Sequence, residues 1–168
     1  MKKLIFVILI LFAIIANAQY AHEITPYTWP TDQKVLDKLE KWQDLKFGLL
    51  MHWGTYSQWG IVESWSICPE DYGWCRREKG TNPKDYFTYK KEYENLKLSF
   101  NPVNFNPDRW AKAASNAGMK YVIFTTKHHD GFCMFDTKYT DYKITSEECP
   151  FSKNPKANVA KEIFDSFR

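Results

Sequence analysis

Residues 106–126 read NPDRWAKAASNAGMKYVIFTT, and this stretch decides the fold. Asn106 before Pro107 joins a capping side chain to a residue whose missing N–H costs nothing in a first helical turn. Trp110, Ala111, Ala114 and Ala117 follow at helical spacing and mark one face. Gly118 stands where a helix end calls for left-handed backbone. Tyr121 to Thr126 (YVIFTT) is a β-branched apolar run, the pattern of a strand buried on both faces. Helix, short link and buried strand make half of a parallel α/β unit.

Upstream, Phe47 to Trp53 (FGLLMHW) reads as a second short buried strand. A helix is expected before it, over residues 31–46. Val35, Leu36, Leu39 and Trp42 form its apolar stripe, and Thr31 or Asp32 its N-cap. Residues 54–106 form a long aromatic-rich insertion. Asn82-Pro83 is expected to start a helix there, and Tyr86, Tyr89, Tyr93 and Leu96 continue it. Downstream, Asn158 caps a last helix with Val159, Ile163, Phe164 and Phe167 on one side.

The fold class is therefore α/β. Two parallel strands cannot cover their own faces, and a (β/α)₈ barrel takes ~250 residues. The 168 residues are thus expected to be the N-terminal portion of such a TIM barrel, incomplete in this chain.

Residues 1–18 read as an export signal. Met1-Lys2-Lys3 is basic, Leu4 to Ile15 is unbroken apolar sequence, and Ala16-Asn17-Ala18 offers small residues for cleavage. The run is too short for a spanning helix, which needs ~20 apolar residues. The expected domains are thus a signal at 1–18 and an N-terminal barrel fragment at 19–168. No membrane anchor is expected after cleavage, and the location is periplasmic or extracellular.

Net charge is +3, and removing Lys2 and Lys3 brings 23 basic residues to within one of the 20 acidic ones. That balance argues against nucleic-acid binding. Cys68, Cys75, Cys133 and Cys149 allow three complete pairings after export, with Cys68–Cys75 a possible loop staple. Buried free thiols are the equal alternative.

In parallel α/β folds, functional groups gather at the carboxyl ends of strands. His52 ends the first strand, and His128, His129 and Asp130 follow the second. Two chemistries suit them. One is a hydrolytic zinc or manganese held by His52, His128 or His129, and Asp130. Neighbours on a strand point to opposite faces, so His128 and His129 converge only if the backbone turns there. The other is a sugar or polyol pocket, with Tyr56, Trp59, Glu63, Trp65, Tyr72 and Trp74 as its wall. Asp136, Asp141, Glu147 and Glu148 read as solvated loop charges. No phosphate-binding glycine loop or G-x-S-x-G motif occurs.

Three stretches also resemble one family. They are Lys46 to Gly54 (KFGLLMHWG), Glu63-Ser64-Trp65, and Tyr121 to Asp136 (YVIFTTKHHDGFCMFD), continued by Thr137 to Tyr142. Together they resemble glycoside hydrolase family 29, the α-L-fucosidases, from about Leu45 to the end. The resemblance implies a (β/α)₈-like barrel followed by a β-sandwich, and retaining exo-hydrolysis of α-L-fucose from fucosylated glycans. It implies that His52, His128 and His129 hold sugar hydroxyls and that Glu63 and Trp65 line the pocket. Ser64 separates Glu63 from Trp65, whereas some members have the two adjacent. No metal or organic cofactor is implied. The nucleophile and the acid/base are expected beyond Arg168, so no catalytic residue is assigned within the chain. The alternatives are a non-catalytic fucose-binding protein, an inactive remnant, or the metal-dependent hydrolase.

Overall fold

The computed structural model describes residues 26–70 and 72–168. The expected export signal lies outside them. The chain divides into two units, one ending at Lys41 and the other running from Trp42 to Arg168. Across that boundary runs α1 (Gln33–Asp44), two residues shorter at each end than the sequence suggests. Asp32 Oδ1 accepts the Lys34 N–H at 2.8 Å, so Asp32 rather than Thr31 supplies the cap. No α1 residue is buried. Among the described residues no helix is long and apolar enough to cross a membrane.

The second unit is built on β1 (Leu49–His52), α2 (Tyr86–Glu94), α3 (Pro107–Asn116), β2 (Val122–Thr125) and α4 (Val159–Ser166). β1 and β2 pair in parallel, with Leu49 opposite Val122 and His52 opposite Thr125. This register sets the two strand ends side by side. The described residues are a mixed α/β fragment with a two-stranded sheet, not a closed barrel.

α3 follows its sequence signals closely. Asn106 Oδ1 accepts the Arg109 N–H at 3.0 Å, and Pro107 occupies the first turn. At the other end Gly118 has φ +83°, the Gly118 N–H reaches Ser115 O, and the Met119 N–H reaches Ala114 O. This is the paired hydrogen-bond arrangement of a Schellman stop. α4 likewise starts from Asn158, with Val159 and Ile163 buried and Phe164 left partly exposed.

α2 begins later than Asn82-Pro83 implies. Asp85 is the cap, its carboxylate accepting the Thr88 N–H at 2.7 Å, while the Asn82 carbonyl closes a turn with the Asp85 N–H. An ionised cap oxygen close to the first free N–H outcompetes an asparagine one turn earlier.

The main core joins Phe100, Phe124, Phe132, Met134, Ile144, Phe151, Val159 and Ile163. A second cluster holds Tyr56, Tyr93 and Leu96, with Trp59, Ile61 and Ile67 against it. Only one face of the sheet is covered. Phe124 is buried and Met51 packs on the main core, but Leu50 and Ile123 are 59% and 43% exposed. The expectation of strands buried on both faces fails here because no described element lies over the second face. All four cysteines are free, with Cys75, Cys133 and Cys149 buried, so the loop staple is not formed. The Cys75 thiol instead donates to the Cys68 carbonyl at 3.3 Å.

Candidate functional site

Two strand ends and one loop meet in a cleft of about 630 Å³ lined by His52, Glu63, Trp65, His128 and His129, with Thr125, Lys127 and Gly131 completing the wall. All five binding residues expected from the sequence are there. His52 arrives from β1, and Thr125 stands across the register from it, its Oγ1 3.3 Å from His52 Nδ1.

His128 and His129 arrive together because the chain turns immediately after β2. The Gly131 N–H returns to the His128 carbonyl at 3.0 Å, and Gly131 has φ +82°. A side chain would be strained at that φ, so glycine makes the turn possible. The two imidazoles consequently face one cleft, with ring centroids 4.8 Å apart.

Asp130 is not a ligand partner in this arrangement. Its Oδ2 accepts the Tyr93 hydroxyl at 2.6 Å and its Oδ1 accepts the Phe132 N–H at 3.1 Å. It fixes the turn from below. Burial and the Asp130 carboxylate push the Tyr93 phenol far above its ordinary range, so it remains a donor. Tyr56 and Trp59 also leave the expected wall. Tyr56 is buried under His128, and Trp59 packs on Tyr89 and Tyr93.

Glu63 is the hub. Its Oε1 lies 3.1 Å from His52 Nδ1, its Oε2 lies 2.9 Å from His128 Nε2, and the Trp65 indole N–H donates to Oε2 at 2.7 Å. Glu63 has φ +51°, a left-handed conformation unusual for a residue with a side chain. Such backbone costs about 1–2 kcal/mol. The strain brings Glu63 and Trp65 to the same cleft although Ser64 stands between them.

Ser64 is a site residue that sequence reasoning missed. It is buried, and its hydroxyl bonds His128 Nδ1. The Asp130 N–H donates to Ser64 Oγ at 3.1 Å, which frees the Ser64 proton for Nδ1. The assigned proton of neutral His128 then sits on Nε2, facing Glu63. Burial lowers the His128 pKa while Glu63 opposes the shift, and the neutral ring is favoured. Ser64 lies 64 positions from His128, and no local pattern marks such a pairing. Thr125 and Lys127 were also missed, although their places at and just past the end of β2 could have flagged them.

The cleft thus offers a carboxylate, imidazoles, a threonine hydroxyl and an ammonium group beside an aromatic ring. These are donors and acceptors at fixed heights next to an apolar face, the chemistry that distinguishes one polyol from another. The ligand atoms of His52, Glu63 and His128 also lie within 4.8 Å of one another, which is compatible with a cation. That trio replaces the expected set containing Asp130.

Residues 14–168 match the model of the α-L-fucosidase family. The chain belongs to that family, glycoside hydrolase family 29. Tissue α-L-fucosidase of Rattus norvegicus is 35% identical over 134 residues, covering 73% of this chain and 27% of that protein. The α-L-fucosidase isoenzyme 1 of Paenibacillus thiaminolyticus superposes with a TM-score of 0.58 at 38% identity, covering 79% of this chain and 26% of that one. The Lactobacillus casei α-L-fucosidase AlfC, solved with α-L-fucose product, superposes with a TM-score of 0.52 at 26% identity, over 78% and 38%. A variant of that same fucosidase was solved with Fucα(1,6)GlcNAc. The chain therefore spans about a quarter to two fifths of the length of these α-L-fucosidases.

Proposed function

We propose that this chain is the sugar-binding part of the catalytic domain of an exported, retaining exo-α-L-fucosidase acting on fucosylated glycans. The observation that carries the reading is the convergence of His52, Glu63, Trp65, His128 and His129 on one cleft. The L. casei relative, solved with fucose and with a fucosyl disaccharide, supports the ligand class. Glu63 and the imidazoles orient ring hydroxyls, and the Trp65 ring covers an apolar edge of the sugar. The open face of β1 and β2 becomes barrel interior once further strands close on it.

Retaining glycosidases use two carboxyl groups ~5–5.5 Å apart. Among the described residues this cleft holds one carboxylate, Glu63, and two imidazoles and an indole engage it. In this reading the catalytic pair comes from the part of the barrel that the longer relatives possess. Residues 19–168 then bind fucose and do not hydrolyse it. Titration with α-L-fucose followed by NMR should show saturable shifts, weakened about tenfold or more by Glu63→Gln through loss of a charged hydrogen-bonding partner. An aryl α-L-fucoside should remain intact. No saturable binding breaks the reading and leaves the inactive remnant, and turnover by residues 19–168 breaks the division of labour. A fucose-binding protein without catalysis differs in one outcome, an inactive full-length gene product.

The His52–Glu63–His128 geometry favours one second reading, a metal-dependent hydrolase. It requires stoichiometric zinc or manganese in the purified chain, lost in His128→Ala.

A further inference from the structure

Glu63 stands between two imidazoles and meets each through a different ring nitrogen. Its Oε1 lies 3.1 Å from His52 Nδ1, and its Oε2 lies 2.9 Å from His128 Nε2. A carboxylate only accepts hydrogen bonds, so a bare nitrogen at either place would set acceptor against acceptor. The proton therefore belongs on Nδ1 in His52 and on Nε2 in His128. The Trp65 indole N–H also donates to Glu63 Oε2 at 2.7 Å, so the protein engages both carboxylate oxygens.

The rings differ again at their second nitrogen. His128 Nδ1 is met by the hydroxyl of Ser64, which is 1% exposed and takes the Asp130 N–H on its oxygen at 3.1 Å. With the ring neutral and its proton on Nε2, Nδ1 is an acceptor, and the Ser64 hydroxyl supplies the proton it needs. Nothing comparable meets His52. Thr125 Oγ1 lies 3.3 Å from Nδ1, the nitrogen already turned to Glu63. Among the described residues no group is hydrogen-bonded to His52 Nε2, in a side chain that is one-third exposed and lines the cleft.

We propose that Glu63 and Ser64 lock His52 and His128 in opposite tautomers, and that Ser64 is the positioning residue for His128. His128 then offers a ligand only its Nε2–H, shared with Glu63. His52 keeps a bare acceptor, Nε2. The consequence for recognition rests on the sugar-site reading of the cleft: the ligand group that meets His52 must be a donor. A hydroxyl qualifies, whereas a fluorine or an ether oxygen in its place leaves Nε2 unpaired.

NMR of the chain with ring-15N histidine reads each tautomer directly. The sample is held at about pH 8, above the histidine range, with a chelator present. His52 should carry its proton on Nδ1 and His128 on Nε2, and one tautomer common to both rings would overturn the proposal. Ser64→Ala should mix the tautomers in His128 alone and weaken fucose about fivefold, the loss of one neutral hydrogen bond. Ser64→Thr keeps the hydroxyl and should keep the wild-type pattern. Ser64→Cys, a weak donor, should give a partial mixture and serves if the alanine variant does not fold. Weaker fucose binding with the His128 nitrogens unmoved would reduce Ser64 to loop packing and overturn its positioning role. Saturating fucose should shift His52 Nε2. One of 2-, 3- and 4-deoxyfluoro-fucose should lose that shift and bind about tenfold more weakly. Fucose that binds without moving His52 Nε2 overturns the recognition step. If fucose does not bind at all, the sugar-site reading falls, while the opposite tautomers are still decided in the free chain.

Discussion

One face of the β1–β2 pair presents Leu49, Met51, Val122 and Phe124, and the other presents Leu50, His52, Ile123 and Thr125. The first lies toward the main core, where Phe124 is 6% exposed. The second is open, with apolar side chains in its middle and the two polar residues at its carboxyl end. Alternation along a strand makes this division unavoidable, because each residue inward sends its neighbour outward. The two faces answer to different rules. The core face is held by volume, and errors there cost packing. On the open face the site end is held by hydrogen-bond stoichiometry, with Ser64, His128 and Glu63 accounting for each proton. Core packing and the cleft-lining His52 and Thr125 thus sit on opposite faces of the same eight residues.

The largest effect should come from breaking the core face. Phe124→Ala removes a buried ring from the main cluster, and Phe-to-Ala core truncations cost about 3–5 kcal/mol. Urea unfolding should show this loss. A much smaller loss would mean that the core can collapse into the gap, and the contrast between the faces would weaken. Replacement by another large apolar side chain, Phe124→Leu, should retain most of the stability.

The site end should show a smaller effect that depends on pH. The His128 pKa is lowered by burial, with Glu63 pulling the other way and His129 and Asp130 nearby. When a folded pKa lies below the unfolded one, the unfolded chain binds more protons as pH falls. The neutral ring's contribution is complete above the unfolded histidine pKa, about 6.5. It is lost as pH falls toward the lowered folded value. Denaturation midpoints between pH 7 and 5 should therefore fall in the wild type and fall less in His128→Gln. Parallel slopes would show that burial does not hold the ring neutral.

The same division explains what could be read from the sequence. α3 and α4 were legible because their signals are local: Asn106 with Pro107, Gly118 after Ala117, and Asn158 before Val159. The histidines were legible from their places at strand ends, and Glu63 and Trp65 from the aromatic-rich stretch after the first strand as well as from the family resemblance. Asp85 was hidden by the stronger-looking Asn82-Pro83 pair, and only the placed carboxylate settles which caps α2. Ser64 was hidden more deeply. Its partners, His128 and the Asp130 N–H, are 64 and 66 residues away, and only the folded turn brings them together. Tyr56 and Trp59 illustrate the converse, since an aromatic beside a site looks the same in sequence whether it lines the cleft or supports it from beneath.

The smallest expected effect is on the open face, and it bears directly on the proposal that this face is barrel interior. Ile123 is 43% exposed and pairs in register with Leu50, 59% exposed. If this face carries no packing in the chain, Ile123→Ser should change unfolding stability by no more than about 0.5 kcal/mol, the usual range for surface changes. It should also reduce self-association, because adjacent exposed aliphatics on an unpaired sheet face invite contact between copies. In a longer gene product with a closed barrel, the same substitution would put a hydroxyl in a packed interior and cost several times more. Light scattering and urea unfolding on both forms separate these cases. Equal, small effects in both would show that Leu50 and Ile123 stay solvent-facing, and the barrel reading of the open face would be wrong. A large cost confined to the longer protein would identify this face as the surface on which the rest of the fold is laid.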